Sequence, residues 1–513
     1  MTSPNAPTAA SDKLDGTVLK IASVVVLGAI MSILDVTVVS VALPTFAETF
    51  DTTYATVAWT MTAYTLALAT VIPVTGWAAD RFGTKRLYMT ALVLFVIGSI
   101  ACSMAWDITS LIGFRVLQGL GGGMLMPLGM TIMTRAAGPE RIGRVMAVLG
   151  IPMLLGPIGG PILGGWLIDV ASWHWIFLIN LPVGIIALAA AFKLLPSDKP
   201  QPSQSFDFLG MLLLSPGLAL FLFGVSSIPE VGTVASARVL VTAGIGLALI
   251  IGFVFHALNK DHPLIDLRLF KNRQLTVAVI TTSLFIVAFM GAGLLFPSYF
   301  IQVTGSTTLA AGLLMAPQGF GAMLTMPIAG RLVDKMGPGK IVLTGLPLIL
   351  IGFGVFTQVA ADSPTWMLMA ALFVMGMGMG CTMMPLMTAA IVTLSNEQIA
   401  RGSSLMNIVQ QTAGSIGTAV MSVVLTNQVL NHEGAGLAAA SRGTSPEAAM
   451  IVENTPPEVL EHGFSQLADS FGNTFLVATV LIVLTLIPAY FLPRKKITKT
   501  VAEGDTPAPM MMH

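Results

Sequence analysis

Long apolar runs separated by short polar turns recur along almost the whole 513-residue chain. A run of about 20 apolar residues is long enough to cross the hydrocarbon core of a bilayer as an α-helix. Only 10% of the residues are charged, whereas soluble proteins are about 25% charged, so little of the chain lies outside a membrane. The runs predict an all-α, polytopic membrane protein with fourteen transmembrane helices. Their approximate limits are 18–43, 54–78, 87–106, 109–134, 145–168, 175–195, 208–228, 238–258, 275–300, 310–332, 340–360, 365–393, 403–430 and 473–492.

The distribution of lysine and arginine supports this number of spans. When the N-terminus is placed in the cytoplasm, all of the 25 basic residues except Arg115, Arg238 and Arg442 fall in cytoplasmic segments. Cytoplasmic loops of membrane proteins carry such an excess of basic residues. Adding or removing one span would reverse the pattern beyond that point, so we predict fourteen spans with both termini in the cytoplasm.

An internal repeat predicts two related halves. The segment 76–86, GWAADRFGTKR, follows the second span, and a similar segment, 330–340, GRLVDKMGPGK, follows the tenth. Repeated halves of this kind are typical of transporters. Eight spans separate the copies, so two spans, the seventh and eighth, are inserted between six-helix halves. The predicted organisation is an N-terminal tail 1–17, a first half 18–195, two inserted helices 208–258, a second half 275–492 with an outer loop 431–470, and a C-terminal tail 493–513.

One acidic residue, Asp35, lies well inside a predicted span. No other charged residue occurs between Lys20 and Glu48. A carboxylate at this depth costs several kcal/mol, and intramembrane acids are functional candidates that face a cavity, a partner or a proton path. Asp35 is therefore the leading candidate for chemistry in this chain.

The repeated loop resembles the cytoplasmic loop signature of the major facilitator superfamily. Glycine permits a tight reversal of the chain there, and the aspartate can face the N-terminus of a helix. The alternative is that these basic loops only fix topology. The resemblance implies that the acid locks the two halves together in one of the alternating states. The residues assigned to this conformational lock are Gly76, Asp80, Arg81, Gly83, Arg86, Asp334 and Gly337.

The fourth span carries a second motif of the same superfamily. Arg115, Gly119 and Gly123 share one helix face, and the stretch 111–123, LIGFRVLQGLGGG, resembles the motif whose arginine takes part in proton movement. A buried arginine can instead satisfy backbone carbonyls. The equivalent position in the second half is Phe373, so we expect proton chemistry in the first half.

The fifth span carries a pattern of glycine and proline, GPIGGPILGG. Small residues spaced by four let helices approach closely, and proline bends a helix. The pattern resembles a signature restricted largely to antiporters of the superfamily, although a glycine face alone would be ordinary packing. Its assigned residues are Gly156, Pro157, Gly160, Pro161 and Gly164.

The first span, LDVTVVSVALP from Leu34 to Pro44, resembles the fourteen-span drug:proton antiporters of the QacA/EmrB type. Ser40 stands where that family usually has asparagine. The resemblance implies a proton-coupled efflux antiporter in a bacterial inner membrane, which exports lipophilic cationic or neutral compounds by alternating access. The sequence leaves open a dedicated exporter of a metabolite, lipid or siderophore, and a membrane sensor that binds without transport.

Depth along the helices places Asp35 and Arg115 in one layer of the first half. At about 1.5 Å per residue, they lie roughly 12 Å and 9 Å below the outer ends of their spans. Movement of Arg115 relative to Asp35 would then switch the carboxyl between its ionised and protonated forms. We assign proton coupling to this pair.

Other polar residues inside the spans are candidates for lining a substrate cavity, and for each of them a helix–helix hydrogen bond is an equally good interpretation. They are Tyr64, Gln118, Asn180, Gln318, Asn407, Gln410 and Gln411. Outside the spans, the segment 264–270 is expected along the membrane surface. The acidic outer loop is either a plain connector or a lid. Two short helices are expected in it around Pro456 and Pro457.

The sequence also indicates what this protein does not do. It shows no nucleophile triad, no phosphate-binding loop and no cluster of metal ligands, so we predict no enzyme activity, no cofactor, no bound metal and no direct use of ATP. Its net charge is zero, which does not favour nucleic acid. The predicted partners are lipophilic small molecules, protons and the lipid bilayer, and the protein is expected to be a monomer.

Overall fold

The computed structural model of the chain describes residues 15–137, 141–197, 205–231, 233–395, 398–442, 450–453 and 455–494. Within these ranges the chain is helical and contains no strand. Both predicted tails lie almost entirely outside the described residues. Fourteen long helices correspond to the fourteen predicted spans. They are α1 (Gly16–Thr49), α2 (Tyr54–Phe82), α3 (Thr84–Ser103), α4 (Ile108–Ala137), α5 (Ile142–Val170), α6 (Trp175–Leu194), α7 (Phe208–Ser226), α8 (Ala237–Asn259), α9 (Arg273–Gln302), α10 (Thr308–Met336), α11 (Pro338–Phe356), α12 (Thr365–Ile391), α13 (Ile399–Leu430) and α14 (Pro457–Ala489).

The length and composition of these helices confirm the membrane-spanning fold. Twelve of them, all but α5 and α10, are long and apolar enough to cross a membrane by these criteria. The helices α5 and α10 have 29 residues each and coincide with the predicted fifth and tenth spans. Two helices are interrupted: α6 at Ile179, and α12 at Cys381 and Thr382.

The repeated loops turn in the way that their glycines predicted. Gly83 ends α2 with a φ of 87°, and Gly337 ends α10 with a φ of 86°. Residues that carry a Cβ atom rarely adopt this backbone conformation. Each glycine is followed at once by the next helix, so both copies of the loop reverse the chain within a single residue.

Helices within each half pack closely through small residues. In the first half, α4 packs against α2 and α3, and α1 packs against α5. Gly98 of α3 lies so close to the backbone of Gln118 that a Cβ there would be 2.6 Å from Gln118 Cα. The second half repeats the arrangement with α12 against α10 and α11, and α9 against α13 and α14. The halves meet along two seams, α5 with α10 and α2 with α13.

The two inserted helices form a hairpin that touches both halves. Gly217 and Gly224 of α7 and Gly246 of α8 bring the two backbones together. The helix α7 packs on α2 and α13, and Ser215 Oγ donates a hydrogen bond of 2.7 Å to the carbonyl of Thr70 in α2. The hairpin therefore lies beside the α2–α13 seam.

A buried carboxylate fastens the ends of the hairpin. Asp207 precedes α7 and is 1% exposed. Its carboxylate accepts hydrogen bonds from the backbone N–H groups of Gly210 at 3.0 Å and Leu264 at 3.1 Å. It also lies 2.7 Å from Nε2 of His256 and 3.5 Å from Nζ of Lys260. Asp207 thus joins the start of α7, the end of α8 and the loop after α8.

Two expectations for the polar segments are wrong. The segment after α8 does not lie along the membrane surface, because Leu264, Ile265 and Leu269 are buried in the protein. The part of the outer loop after Pro456 is not a separate short helix, because α14 begins at Pro457 and continues into the last span. The outer loop also contains a helix, Glu433–Ser441, that packs on this extension of α14. Residues 443–449 and 454 of the loop lie outside the described part.

Candidate functional site

The centre of the first half contains a buried ion pair between the two residues that the sequence places in one layer. Arg115 Nη1 of α4 contacts Asp35 Oδ2 of α1, and both side chains are 0% exposed. The predicted proximity of the two residues is therefore confirmed. A buried charge of either sign is costly by itself, whereas a hydrogen-bonded pair of opposite charges offsets much of that cost.

Two carboxamides also form hydrogen bonds with the pair. Gln118 lies one turn after Arg115, accepts a hydrogen bond of 2.7 Å from Arg115 Nη1, and donates one of 2.7 Å to Asp35 Oδ1. Asn180 of α6 donates to the same Asp35 oxygen at 3.4 Å and to Ser99 Oγ at 3.0 Å. The residues Gln118 and Asn180, predicted to line a cavity, therefore bind the Asp35 carboxylate in this conformation.

Aromatic and backbone groups surround the guanidinium. Arg115 Nε donates a hydrogen bond of 3.1 Å to the carbonyl of Thr60, so the sequence-based alternative of a backbone contact is also present. The guanidinium carbon lies 4.1 Å from the centre of the Tyr64 ring, in the range of a cation–π interaction. The Tyr64 hydroxyl lies 3.1 Å from Ser32 Oγ. Tyr64, another predicted cavity residue, is therefore part of the buried cluster.

The glycines of α5 pack against the part of α1 that carries Asp35. A Cβ at Gly156 would overlap Ile33, and a Cβ at Gly160 would overlap Thr37. Thr37 Oγ1 also donates a hydrogen bond of 3.0 Å to the carbonyl of Gly156. A Cβ at Gly164 would lie 3.1 Å from Val38. The glycine face thus holds α5 against α1 on both sides of Asp35. The side chains of Pro157 and Pro161 lie outside the described part, and the bend expected from them stays a prediction.

The repeated loops make the same kind of contact from opposite halves. We call the end of the helix bundle that carries these loops the basic end, and the other the opposite end. Asp80 of α2 lies 3.7 Å from Arg401 Nε of α13. Asp334 of α10 lies 3.2 Å from Arg144 Nε of α5 and accepts a hydrogen bond of 2.8 Å from the backbone N–H of Gly143. Each aspartate therefore reaches the other half, and Asp334 meets the N-terminus of a helix, as its motif predicted.

Glycines of the loop motif permit these contacts. A Cβ at Gly76 would lie 3.3 Å from Arg401 Cα, and a Cβ at Gly330 would lie 2.8 Å from the carbonyl oxygen of Gly143. Asp80 also lies 3.7 Å from Arg135 Nη2 within its own half. Arg81 and Arg86 are exposed. The lock residues thus fall into three sets: those that contact the other half (Gly76, Asp80 and Asp334), the turn glycines (Gly83 and Gly337) and the exposed basic residues (Arg81 and Arg86).

The remaining predicted cavity residues lie near methionines of the second half and the seam. Gln318 Nε2 lies 3.7 Å from Met375 Sδ, and Gln410 Nε2 lies 3.1 Å from Met387 Sδ. Asn407 Nδ2 lies 3.6 Å from Met130 Sδ across the α4–α13 contact between the halves. Gln411 is half-buried. None of these amides is brought to Asp35, so the predicted cavity set divides into two groups.

Sequence reasoning missed several residues of these contacts. Ser99 and Thr60 gave no signal, because a single hydroxyl or a backbone carbonyl in an apolar span has no distinguishing pattern. Arg144 and Arg401 did carry a signal in the sequence, because each is the third residue of its helix, α5 and α13 respectively. Their matching positions in the two halves could have indicated partners for the repeated aspartates. Among the described residues, no cluster of histidine, cysteine and carboxylate side chains could hold a metal ion.

Comparison with known proteins agrees with these motifs. The family model described as Major Facilitator Superfamily matches residues 25–418. The "Multidrug resistance protein B homolog" of Mycobacterium tuberculosis is 51% identical over 496 residues, which cover 94% of this chain and 92% of that protein. The "Multidrug export protein EmrB" of Haemophilus influenzae is 32% identical over 408 residues, 79% of this chain and 80% of that protein.

Solved structures share the fold. The human organic anion transporter MFSD10 aligns with a TM-score of 0.60 at 16% identity, covering 91% of this chain and all of the other. The proton:xylose symporter XylE aligns with a TM-score of 0.57 at 12% identity, covering 93% and 96%. The family resemblance read from the motifs is confirmed. The chain therefore belongs to the major facilitator superfamily and is a membrane transporter rather than an enzyme.

Proposed function

We propose that this transporter exports lipophilic cationic or neutral compounds in exchange for protons. The buried ion pair of Asp35 and Arg115 carries the proposal, because it places one titratable carboxylate at mid-span in contact with a cation from a different helix. The names of the relatives, which describe multidrug resistance and multidrug export, support the substrate class.

Proton exchange at Asp35 requires the pair to separate. While Arg115, Gln118 and Asn180 hold the carboxylate, its side chain is shut off from water. A proton on Asp35 would cancel the attraction to Arg115, and withdrawal of Arg115 would in turn favour the proton. Proton binding is therefore coupled to the relative position of α1 and α4, and we assign Gln118, Asn180 and Tyr64 to this switch.

The two cross-half ion pairs act as the lock of alternating access. Loops rich in lysine and arginine remain in the cytoplasm, so we assign the basic end, and both chain termini, to the cytoplasmic side of a bacterial inner membrane. In this conformation Asp80 with Arg401 and Asp334 with Arg144 close the cytoplasmic side. Opening of that side requires both pairs to break while the α2–α13 and α5–α10 seams separate.

The glycine face of α5 links these two events. It packs on α1 around Asp35, while the first turns of the same helix hold Asp334 of the other half. A displacement of α1 that follows protonation is therefore transmitted to α5 and to the cytoplasmic seam. This connection gives the antiporter motif a mechanical role.

The amides near methionine line the proposed substrate path. A thioether is a weak hydrogen-bond acceptor. The carbonyl or hydroxyl oxygen of a ligand can therefore replace the methionine sulfur as the acceptor for the amide groups of Gln318, Asn407 and Gln410. Methionine itself adapts to apolar ligands of different shape. This combination suits lipophilic compounds that carry a few hydrogen-bonding groups.

Proton-driven efflux of a fluorescent lipophilic dye tests the proposal. In proteoliposomes with an imposed pH gradient, the wild-type protein should move dye against its gradient, and a protonophore should abolish the movement. Asp35→Asn should remove uphill transport while dye counterflow without a pH gradient continues. Asp169→Asn, which removes an exposed carboxylate near the opposite end of α5, is the matched control and should transport normally. Full uphill transport by Asp35→Asn would refute the assignment.

A further inference from the structure

The inserted hairpin and α2 enclose a crevice at the opposite end of the bundle. Its cavity has a volume of about 80 Å³ and is open on one side. It is lined by residues at the start of α2, the end of α7 and the start of α8. They are Ala58, Trp59, Thr62, Phe223, Ser226, Ser227 and Arg238. None of these residues belongs to the Asp35 cluster or to the cross-half contacts.

The walls of the crevice combine one cation with two stacked aromatic rings. The Trp59 and Phe223 rings have centroids 5.2 Å apart and are stacked, which joins α2 to α7. The guanidinium carbon of Arg238 lies 5.1 Å from the centre of the Phe223 ring, which joins α8 to α7. Trp59 is 39% exposed, and Arg238 is also exposed. The crevice therefore offers an apolar floor and a cationic rim that are both accessible from outside.

The position of Arg238 in the bundle is unusual for a basic residue. It and Arg442 are the two basic residues that the span assignment places in outer loops. Arg442, however, packs over the ring of Phe464, 4.5 Å from its centre, and contacts the backbone carbonyl of Val303. Arg442 thus has a structural environment within the outer loop. Arg238 likewise packs over an aromatic ring, that of Phe223, but its exposed side chain also lines the crevice at the ends of α2, α7 and α8.

The chemistry of the crevice matches the headgroup region of an anionic phospholipid. Tryptophan is enriched at the interface between lipid and water because its ring is apolar while its N–H can donate a hydrogen bond. Arginine pairs with phosphate through two parallel N–H groups. An acyl chain lying along the apolar surfaces of α2 and α7 would place the lipid phosphate beside Arg238. We propose that this crevice is a binding site for one anionic phospholipid of the leaflet at the opposite end.

The bound lipid would fasten the hairpin to α2. At the basic end the hairpin is held by Asp207 and its partners. At the opposite end it meets α2 through the Trp59–Phe223 stack, and a phosphate bound to Arg238 adds a contact between α8 and the lipid held along α2. The proposal is independent of the proton mechanism.

Lipid binding to the purified full-length protein tests the site. Phosphatidylglycerol, with phosphatidylcholine of the same acyl chains as the uncharged reference, is titrated into the protein in detergent, and bound lipid is counted by native mass spectrometry. The first phosphatidylglycerol should bind more tightly than phosphatidylcholine. Arg238→Gln should weaken phosphatidylglycerol binding about fivefold, leave phosphatidylcholine binding unchanged, and leave the melting temperature in detergent without added lipid unchanged.

Two controls separate this site from general charge attraction. Arg273→Gln removes an exposed arginine at the start of α9, near the basic end, and should not alter the first binding event. Arg238→Lys keeps the positive charge and should retain most of the phosphatidylglycerol binding. This variant also tests the site if Arg238→Gln does not fold. Equal losses in Arg238→Gln and Arg273→Gln, or no loss in Arg238→Gln, would overturn the proposal. Saturation of the site by inorganic phosphate alone would also overturn it, because the site would then take a free anion rather than a lipid.

Discussion

Arg115 and Asp35 form an ion pair in which both side chains are completely buried. The two residues come from different helices, α4 and α1. Their ion pair therefore depends on the position of these helices relative to each other. Further hydrogen bonds from Gln118 and Asn180 leave the carboxylate fully engaged. The proposed proton exchange at Asp35 would therefore require a change in the packing of the first half.

The first prediction concerns the energetic coupling of this pair. Asp35→Asn leaves the buried guanidinium without a counter-charge and should destabilise the protein by about 3–5 kcal/mol. Arg115→Gln should cost less, because Asp35 can then take up a proton. The double variant removes both charges and should be more stable than Asp35→Asn alone. Thermal unfolding of the four proteins in detergent measures the coupling, and strictly additive effects would show that the charges do not interact.

The second prediction concerns the lock. Asp80→Asn and Asp334→Asn each weaken one cross-half ion pair. A partly exposed pair contributes up to about 1 kcal/mol, so each variant should increase the open population of the basic end about fivefold, and both together should increase it further. The rate at which a membrane-impermeant maleimide labels Ser404→Cys reports this opening, because Ser404 is 1% exposed and lies beside Gly76 at the α2–α13 seam.

Labelling requires a background in which Cys102 and Cys381 are replaced. Arg86→Gln is the control, because Arg86 belongs to the same motif and is exposed. It should leave the labelling rate unchanged. If Asp80→Asn and Asp334→Asn also label at the wild-type rate, the two aspartates do not hold the basic end closed.

The sequence predicted most of the fold because membrane spans impose a simple pattern. Apolar length fixed the fourteen helices, and the repeated glycines fixed the turns at Gly83 and Gly337. It did not predict the burial of Leu264 and Ile265, because a short apolar stretch looks the same whether it faces lipid or protein. It also missed the helix Glu433–Ser441 and the extension of α14, since outside the membrane the signal from apolar length is lost.

The site was predictable only in part for a related physical reason. A single charge in an apolar span is conspicuous, so Asp35 and Arg115 were found and were expected in one layer of the first half. Gln118 and Asn180 were noticed as polar residues, but nothing in the sequence shows which way a carboxamide faces. The partners of Asp80 and Asp334 come from the other half, and the sequence indicated them only through the matching positions of Arg144 and Arg401 near the starts of their helices.

The third prediction uses the glycine face of α5. Gly160→Ala places a methyl group against Thr37 of α1, and such overpacking costs about 1–3 kcal/mol. Gly165→Ala is the matched control on the same helix, because a Cβ there meets no atom within 4 Å. Gly160→Ala should lower the melting temperature and slow dye efflux, whereas Gly165→Ala should behave like the wild type. Equal behaviour of the two variants would show that the α1–α5 contact is not under this steric constraint.

The fourth prediction is a pH dependence of stability at the basic end of the hairpin. Burial by itself would raise the pKa of Asp207, but hydrogen bonds from His256 and from the backbone N–H groups of Gly210 and Leu264 outweigh it, so the pKa lies below its ordinary value. A carboxylate with a lowered pKa stabilises the fold at pH values above its unfolded pKa, about 3.9. This stabilisation is lost as the pH falls through the pKa that Asp207 has in the folded protein.

Asp207→Asn should therefore lower the melting temperature near neutral pH, by the equivalent of about 1–3 kcal/mol, and the difference from the wild type should shrink below about pH 4. Melting curves of wild type, Asp207→Asn and the exposed-carboxylate control Asp169→Asn, recorded from neutral to acid pH, measure this. Parallel curves for wild type and Asp207→Asn over the whole range would contradict the role of Asp207, because a neutral side chain at position 207 cannot reproduce a titration that the ionised carboxylate causes.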